Sequence, residues 1–327
     1  MKAIVYGPSN TLQLAEIEKP VPADDEVLIR VRAASVNPLD VHLLKTAPFV
    51  RNLMFTMFRT RVKRPGVDVS GEVEAVGRDV TRFKPGDAVF GASDGGAFAE
   101  YACPPESKLA KKPANLSFEV AASIDIAGRT ALQGLRDIAN VQPAQKVLIN
   151  GASGGVGIFA VQIAKWLGAD VTGVCSTQNV DLVRGLGADR VIDYTREDFT
   201  RGDERYDVIF DLVADKSLKT YGRVLKPEGK YIGAGVLGSD ASIIRMLLRM
   251  LPGMLNGVLL SILTKQKFIS FMTKSDKDDL PVLAELIETG KVKPVIDRTF
   301  SLNEVPEAVR YVAGKHARGK VVISVGD

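Results

Sequence analysis

The stretch Asn150-Gly151-Ala152-Ser153-Gly154-Gly155-Val156-Gly157 decides how this chain is read. It follows the apolar run Lys146-Val147-Leu148-Ile149 and opens a helical pattern from Ile158 to Leu167. In that setting the backbone N–H groups at a helix start, helped by the positive end of its dipole, suit a pyrophosphate, and glycines let it approach closely. A tight turn with no ligand is the plain alternative. Four further strand-like runs follow, separated by helical stretches: Val171-Thr172-Gly173-Val174-Cys175, Arg190-Val191-Ile192-Asp193-Tyr194, Tyr206-Asp207-Val208-Ile209-Phe210-Asp211 and Gly229-Lys230-Tyr231-Ile232-Gly233. Apolar strands alternating with helices predict a doubly wound parallel sheet of the α/β class.

Upstream the rhythm differs. Short alternating runs such as Val27 to Arg32 and Asp68 to Gly77, broken by turns such as Lys84-Pro85-Gly86-Asp87, predict a small barrel-like β unit. Helical patterning fills Phe118 to Ala139, and from about Lys293 the chain is β-like again, closing on Lys320 to Val325. We therefore expect residues 1–120 with 293–327 to form one domain and residues 121–292 the dinucleotide-binding domain. A length of 327 residues fits two domains at ~100–200 residues each.

The scarce residues bound the chemistry. Cys103, Cys175, His42 and His316 are the only thiols and imidazoles, which excludes a four-cysteine zinc site and a disulfide scaffold. No CxxC or HExxH spacing can be written. A net charge of +4 does not by itself imply a nucleic-acid partner, and none is expected. The opening Met1-Lys2-Ala3-Ile4-Val5-Tyr6 is strand-like and lacks a secretory apolar region, so a cytoplasmic location is expected. Between Arg249 and Lys265 lie fifteen uncharged residues, short of the ~20 a spanning helix needs, and Pro252, Gly253 and Gly257 interrupt them. No transmembrane span is expected.

The cofactor follows from the end of the second strand. NAD-binding turns place an Asp or Glu there for the ribose 2′-hydroxyl. Here the chain reads Cys175-Ser176-Thr177-Gln178-Asn179, with no acid before Asp181. Hydroxyls and amides accept a 2′-phosphate that a carboxylate would repel, which favours NADP. Arg184 and Tyr194 are further candidates for that phosphate. The same glycines also satisfy the pattern of short-chain dehydrogenases, and Tyr311-Val312-Ala313-Gly314-Lys315 matches their YxxxK. Only twelve residues follow Lys315, however, too few for that fold.

Several segments together resemble a known family. They are Ala34-Ser35-Val36-Asn37-Pro38-Leu39-Asp40, Pro65-Gly66-Val67-Asp68-Val69-Ser70-Gly71-Glu72-Val73, Phe83-Lys84-Pro85-Gly86-Asp87, Gly96-Ala97-Phe98-Ala99-Glu100-Tyr101, Gly128-Arg129-Thr130-Ala131-Leu132 and the glycine turn. In this order they resemble the medium-chain dehydrogenase/reductase superfamily, in its zinc-independent quinone oxidoreductase and enone reductase branch. The resemblance implies a GroES-like β-barrel domain built from both termini, a Rossmann domain, and an active-site cleft between them. Zinc-dependent members carry Cys where this chain has Asn37, and Gly-His-Glu where it has Gly66-Val67-Asp68, so no catalytic metal is expected. Without a Lewis acid, reduction of an already polarised C=C bond or quinone is the easier chemistry. The implied substrate is a small apolar carbonyl compound or quinone.

The resemblance also assigns residues. Asn37 is expected near the nicotinamide and its ribose, and Thr130 as the cap of a cofactor-facing helix. Gly151, Ser153, Gly154, Gly155, Val156 and Gly157 form the pyrophosphate turn, with Ser176 and Tyr194 near the 2′-phosphate. Val213 is expected beside the nicotinamide, and Lys320 either reaches a cofactor phosphate or is a solvated terminal lysine. Asp40 and Lys45 are candidate polar groups in the cleft, Asp40 with a structural alternative and Lys45 as a carbonyl-polarising group. This chain departs from relatives at His42, often Tyr, at Thr46, often Gly, and at Gln178, often Arg. The basic run Lys45, Arg51, Arg59, Arg61, Lys63 and Arg64 suits either anion steering or a solvated loop. The methionine-rich segment 243–263 suits a pocket cap or a dimer contact, and an edge strand near Phe268 suits a homodimer. Two other functions stay open: metal-free NADP-dependent alcohol/aldehyde chemistry, and a cofactor-binding protein that acts through a partner or RNA.

Overall fold

The computed structural model describes residues 1–57, 64–234, 260–262, 264–315 and 317–326. Arg59, Arg61 and Lys63 of the basic run, and nearly all of the segment 243–263, lie outside the described residues. The chain divides into two compact units, Met1–Ile126 with Ser275–Thr289 and Pro294–Asp327, and Ala127–Lys274 with Gly290–Lys293.

In the second unit six strands form one sheet in the order Arg190–Asp193, Asp170–Cys175, Lys146–Asn150, Tyr206–Asp211, Leu225–Ala234, Lys267–Phe271. Every neighbouring pair is parallel. Parallel strands are covered on both faces, so their residues are apolar without alternation; Val147, Leu148 and Ile149 are fully buried. Each such side chain contributes ~1.5–3 kcal/mol of burial free energy. Numbered along the chain, the order is 3-2-1-4-5-6. The direction of winding reverses between Lys146–Asn150 and Tyr206–Asp211, where open sheets of this kind bind their ligands. Asn150 stands opposite Val174 on one side and Asp211 on the other.

The first unit is built on a seven-stranded sheet with the path Ile296–Ser301, Lys320–Ser324, Val27–Val36, Asp68–Val76, Ala88–Ala92, Leu109–Lys111, and with Tyr101–Ala102 also on Val27–Val36. The last strand of the chain thus pairs antiparallel with an early one, Val321 opposite Val36 and Ser324 opposite Ala33. Register shifts at Leu28/Ile29 and Val31/Ala33 mark bulges in the long strand Val27–Val36, and bulges bend a strand. The core beneath includes Ile29, Val31, Val69, Phe98, Val309 and Ile323. Arg51, from the basic run, belongs inside: it is 4% exposed, its guanidinium lies 3.8 Å from the Tyr6 ring centroid, and it donates to Asn10 Oδ1 and Leu43 O.

The helical run Phe118 to Ala139 is three pieces: Phe118–Ala122, Asp125–Leu132 and a π-helical turn Gln133–Ile138. Ser123 ends the first, its hydroxyl donating back to Val120 O. In the π-turn, a Cβ on Gly134 would lie 2.3 Å from the Phe210 ring, so only glycine lets this helix lie on the sheet.

Candidate active site

The glycine turn has the shape an anion needs. Gly151 adopts φ +88°, a conformation that side chains other than glycine's resist, and the N–H groups of Gly151 and Ala152 donate to Val174 O. A Cβ on Gly157 would stand 2.1 Å from Gly151 O, so the turn closes tightly only over glycine. The ten-residue helix Gly157–Trp166 that follows is almost wholly buried. Among the described residues the N–H groups of Gly155 and Val156 make no hydrogen bond. N–H groups at the positive end of a buried helix are what a pyrophosphate requires. The turn therefore fits a dinucleotide.

Beneath the turn lies a buried polar group that sequence reasoning missed. Asp211, fully buried at the end of its strand, accepts from Asn150 Nδ2 at 2.9 Å, Tyr231 O–H at 2.7 Å, and the N–H groups of Val213 and Ala214 at 3.0 and 3.1 Å. Burial, followed by the Asp211 charge, pushes the Tyr221 and Tyr231 phenols far above their ordinary range, so both remain donors. Asp211 thereby fixes the backbone that carries Val213, whose side chain is half exposed. An acid closing an apolar strand was the available signal.

At the end of the second strand Ser176 begins a 3₁₀ turn, Thr177–Asn179, and its carbonyl accepts the Asn179 N–H at 2.9 Å. Tyr194 is 61% exposed. Asp193, next to it, accepts from the Thr177 hydroxyl at 2.6 Å and from Thr195, bonds that hold its carboxyl below the usual range. Thr130 lies within the helix Asp125–Leu132 rather than capping it, and its hydroxyl meets that of Thr273 at 2.7 Å.

In the first unit Asn37 sits in a buried cluster. Its Nδ2 donates to Asp68 Oδ2 at 3.0 Å, its Oδ1 accepts from Lys320 Nζ at 2.7 Å, and Lys320 Nζ lies 3.4 Å from the same Asp68 oxygen. Ser35 O–H and the Ile126 N–H complete the shell of Asp68. Lys320 is thus buried against Asn37 and Asp68, at 3% exposure. Asp40 accepts the N–H groups of Asn37 and Gly66 at 2.8 and 3.1 Å, fastening the start of the helix Pro38–Lys45. Burial raises its pKa to about 6 against the lowering effect of those bonds. Lys45 ends the same helix and is exposed. His42 is buried on that helix, its carbonyl accepting from Thr46 Oγ1.

The cluster does not fit zinc. Zinc takes thiolate, imidazole or carboxylate donors. Asn37 offers an amide, Val67 nothing, and the one carboxylate, Asp68, already faces an ammonium. Among the described residues no group of His, Cys, Asp and Glu could hold a metal.

Comparison with known proteins agrees with both halves. The family model described as alcohol dehydrogenase GroES-like domain matches residues 23–114, and the one described as zinc-binding dehydrogenase matches residues 186–323. A chloroplastic quinone-oxidoreductase homolog of Spinacia oleracea is 31% identical over 99% of this chain and 98% of its own length. A 2-methylene-furan-3-one reductase of Solanum lycopersicum is 34% identical over 97% of this chain and 76% of its own. The quinone oxidoreductase structure from Coxiella burnetii superposes with a TM-score of 0.84 at 30% identity, covering 100% of this chain and 99% of that one. With a GroES-like β-domain, a dinucleotide-type parallel sheet and end-to-end relatives of this kind, the chain belongs to the medium-chain dehydrogenase/reductase superfamily of oxidoreductases.

Proposed function

We propose that the protein is a metal-independent reductase that uses NADPH to reduce quinones or α,β-unsaturated carbonyl compounds. The carrying observation is the buried Asn37–Asp68–Lys320 cluster, in which an ammonium and an amide stand where a metal would need anionic donors. Bound NADPH supplies the hydride. The chain's own residues do the rest. In the second unit the turn Gly151 to Gly157 holds the pyrophosphate, and Asp211 keeps Val213 in place on the nicotinamide side. In the first unit Asp68 and Lys320 fix both ends of the Asn37 carboxamide, which holds that amide in one orientation. Negative charge that develops on the acceptor oxygen is met by hydrogen-bond donors rather than a Lewis acid.

The choice of NADP over NAD rests on Ser176 and the exposed Tyr194, and on the lack of a carboxylate side chain between Ser176 and Asn179. The strand Lys267–Phe271 ends the sheet and pairs on one side only among the described residues, which suits a homodimer. Purified protein with NADPH and a panel of quinones and enones, chelator present, tests the reading. We expect acceptor-dependent loss of NADPH absorbance. No turnover with any acceptor overturns it.

A further inference from the structure

Behind the two serines assigned to phosphate lies one buried amide. Asn179 is 7% exposed, and its Nδ2 donates to Ser153 Oγ and to Ser176 Oγ, each at 3.1 Å. The fold explains how one side chain reaches both. The strands Lys146–Asn150 and Asp170–Cys175 are neighbours, so the loops that leave their ends lie side by side. The 3₁₀ turn Thr177–Asn179 then stacks residue 179 over Ser176, because side chains three apart eclipse in a 3₁₀ turn. Ser153 and Ser176 are both partly exposed while Asn179 is buried behind them.

A hydroxyl has one proton to give and lone pairs with which to accept. Each serine oxygen already accepts from Asn179, so its own proton is free to point outward, and neither hydroxyl donates to any group among the described residues. Asn179 Oδ1 is buried without a hydrogen-bond partner. An orphaned buried acceptor costs ~1–3 kcal/mol, a cost that packing alone does not explain.

The geometry points to Asn179 as a positioning residue that sets cofactor specificity: it aims the Ser153 and Ser176 hydroxyl protons together at phosphate oxygens of the dinucleotide, one at the pyrophosphate and one at the 2′-phosphate. This rests on the NADP reading above and adds the residue that orients the donors. Hydrogen bonds to ionised acceptors are about twice as strong as neutral ones, so the orientation counts most for the phosphorylated cofactor.

Asn179→Asp reverses the arrangement. A carboxylate accepts the protons of both serines and adds a negative charge behind them. Calorimetric titration of the full chain with NADPH, with NADH and with adenosine 2′,5′-bisphosphate reads the effect. We expect NADPH and the bisphosphate to weaken at least tenfold in Asn179→Asp, and NADH to weaken severalfold less than NADPH because it loses only the pyrophosphate contact. A folded variant with an unchanged NADPH-to-NADH affinity ratio overturns the inference. Independently, with Asn179 intact, Ser153→Ala and Ser176→Ala are combined in a double-mutant cycle. Coupling of at least threefold toward NADPH supports the shared clamp, and additive effects overturn it. Wild-type protein that binds neither dinucleotide overturns the NADP reading itself, and wild-type protein that prefers NADH overturns the choice of cofactor.

Discussion

Asp40 shows burial and hydrogen bonding pulling on one carboxyl in opposite directions, and burial wins: its pKa stands at about 6. An unfolded aspartate titrates near ~3.9. The folded value is the higher, so the stability this group contributes is complete below about pH 4 and is lost as pH rises through about 6, a change of about 3 kcal/mol. Asp40→Asn cannot titrate. Denaturant unfolding of both proteins from pH 4 to pH 7 is expected to show wild type losing that amount relative to the variant, and a pH-independent difference would contradict it. Lys320 makes the complementary case. Lys320→Met strands the fully buried Asp68 carboxylate, which costs ~3–5 kcal/mol when a buried pair loses one partner. Adding Asp68→Asn should recover most of that stability, and urea melts that show simple additivity would refute the pairing. At this scale the sequence was partly legible. Asn37 and Asp40 stood out because they occupy motif positions, but that Lys320 turns inward to Asn37 and Asp68 depends on a strand pairing across nearly the whole chain. Asn179 and Asp211 carry no motif of their own, and their roles come from groups far away in sequence.

Elements were legible where one physical demand dominates. Strands buried on both faces show uninterrupted apolar runs, so Lys146–Asn150 and Tyr206–Asp211 were readable from composition. The glycine turn was readable because Gly157 and Gly151 meet closely enough to exclude any side chain. Gly157→Ala would bring a methyl carbon within 2.1 Å of Gly151 O unless the backbone shifts. We expect at least a tenfold loss of dinucleotide affinity by calorimetry, with the secondary-structure signal in circular dichroism retained. Wild-type affinity in this variant would show that the turn does not hold the cofactor. Helical periodicity was less informative over 118–139. It correctly marks an apolar face but cannot show that the Ser123 hydroxyl ends one helix, or that Gly134 sits in a π-turn so that Phe210 can approach.

Across the whole molecule, the scarcity of His and Cys and the Asn37–Asp68–Lys320 cluster both support the proposed metal-independent reading. With two histidines and two cysteines in 327 residues, and both cysteine thiols pushed upward by burial, Cys103 to about 12 and Cys175 to about 11, the chain has few soft donors to offer a metal. Its polar investment lies instead in donors held by buried carboxylates: Asn37 by Asp68, and Val213 and Ala214 by Asp211. Such an enzyme moves a hydride to an acceptor that is already electron-poor. The decisive measurement is reduction of an enone with NADPH carrying deuterium at the transferable C4 position, with chelator present throughout. Deuterium at the β-carbon of the saturated product, at a rate unaffected by the chelator, is the predicted result. Product without deuterium, or activity that chelation abolishes and zinc restores, would contradict metal-independent hydride transfer.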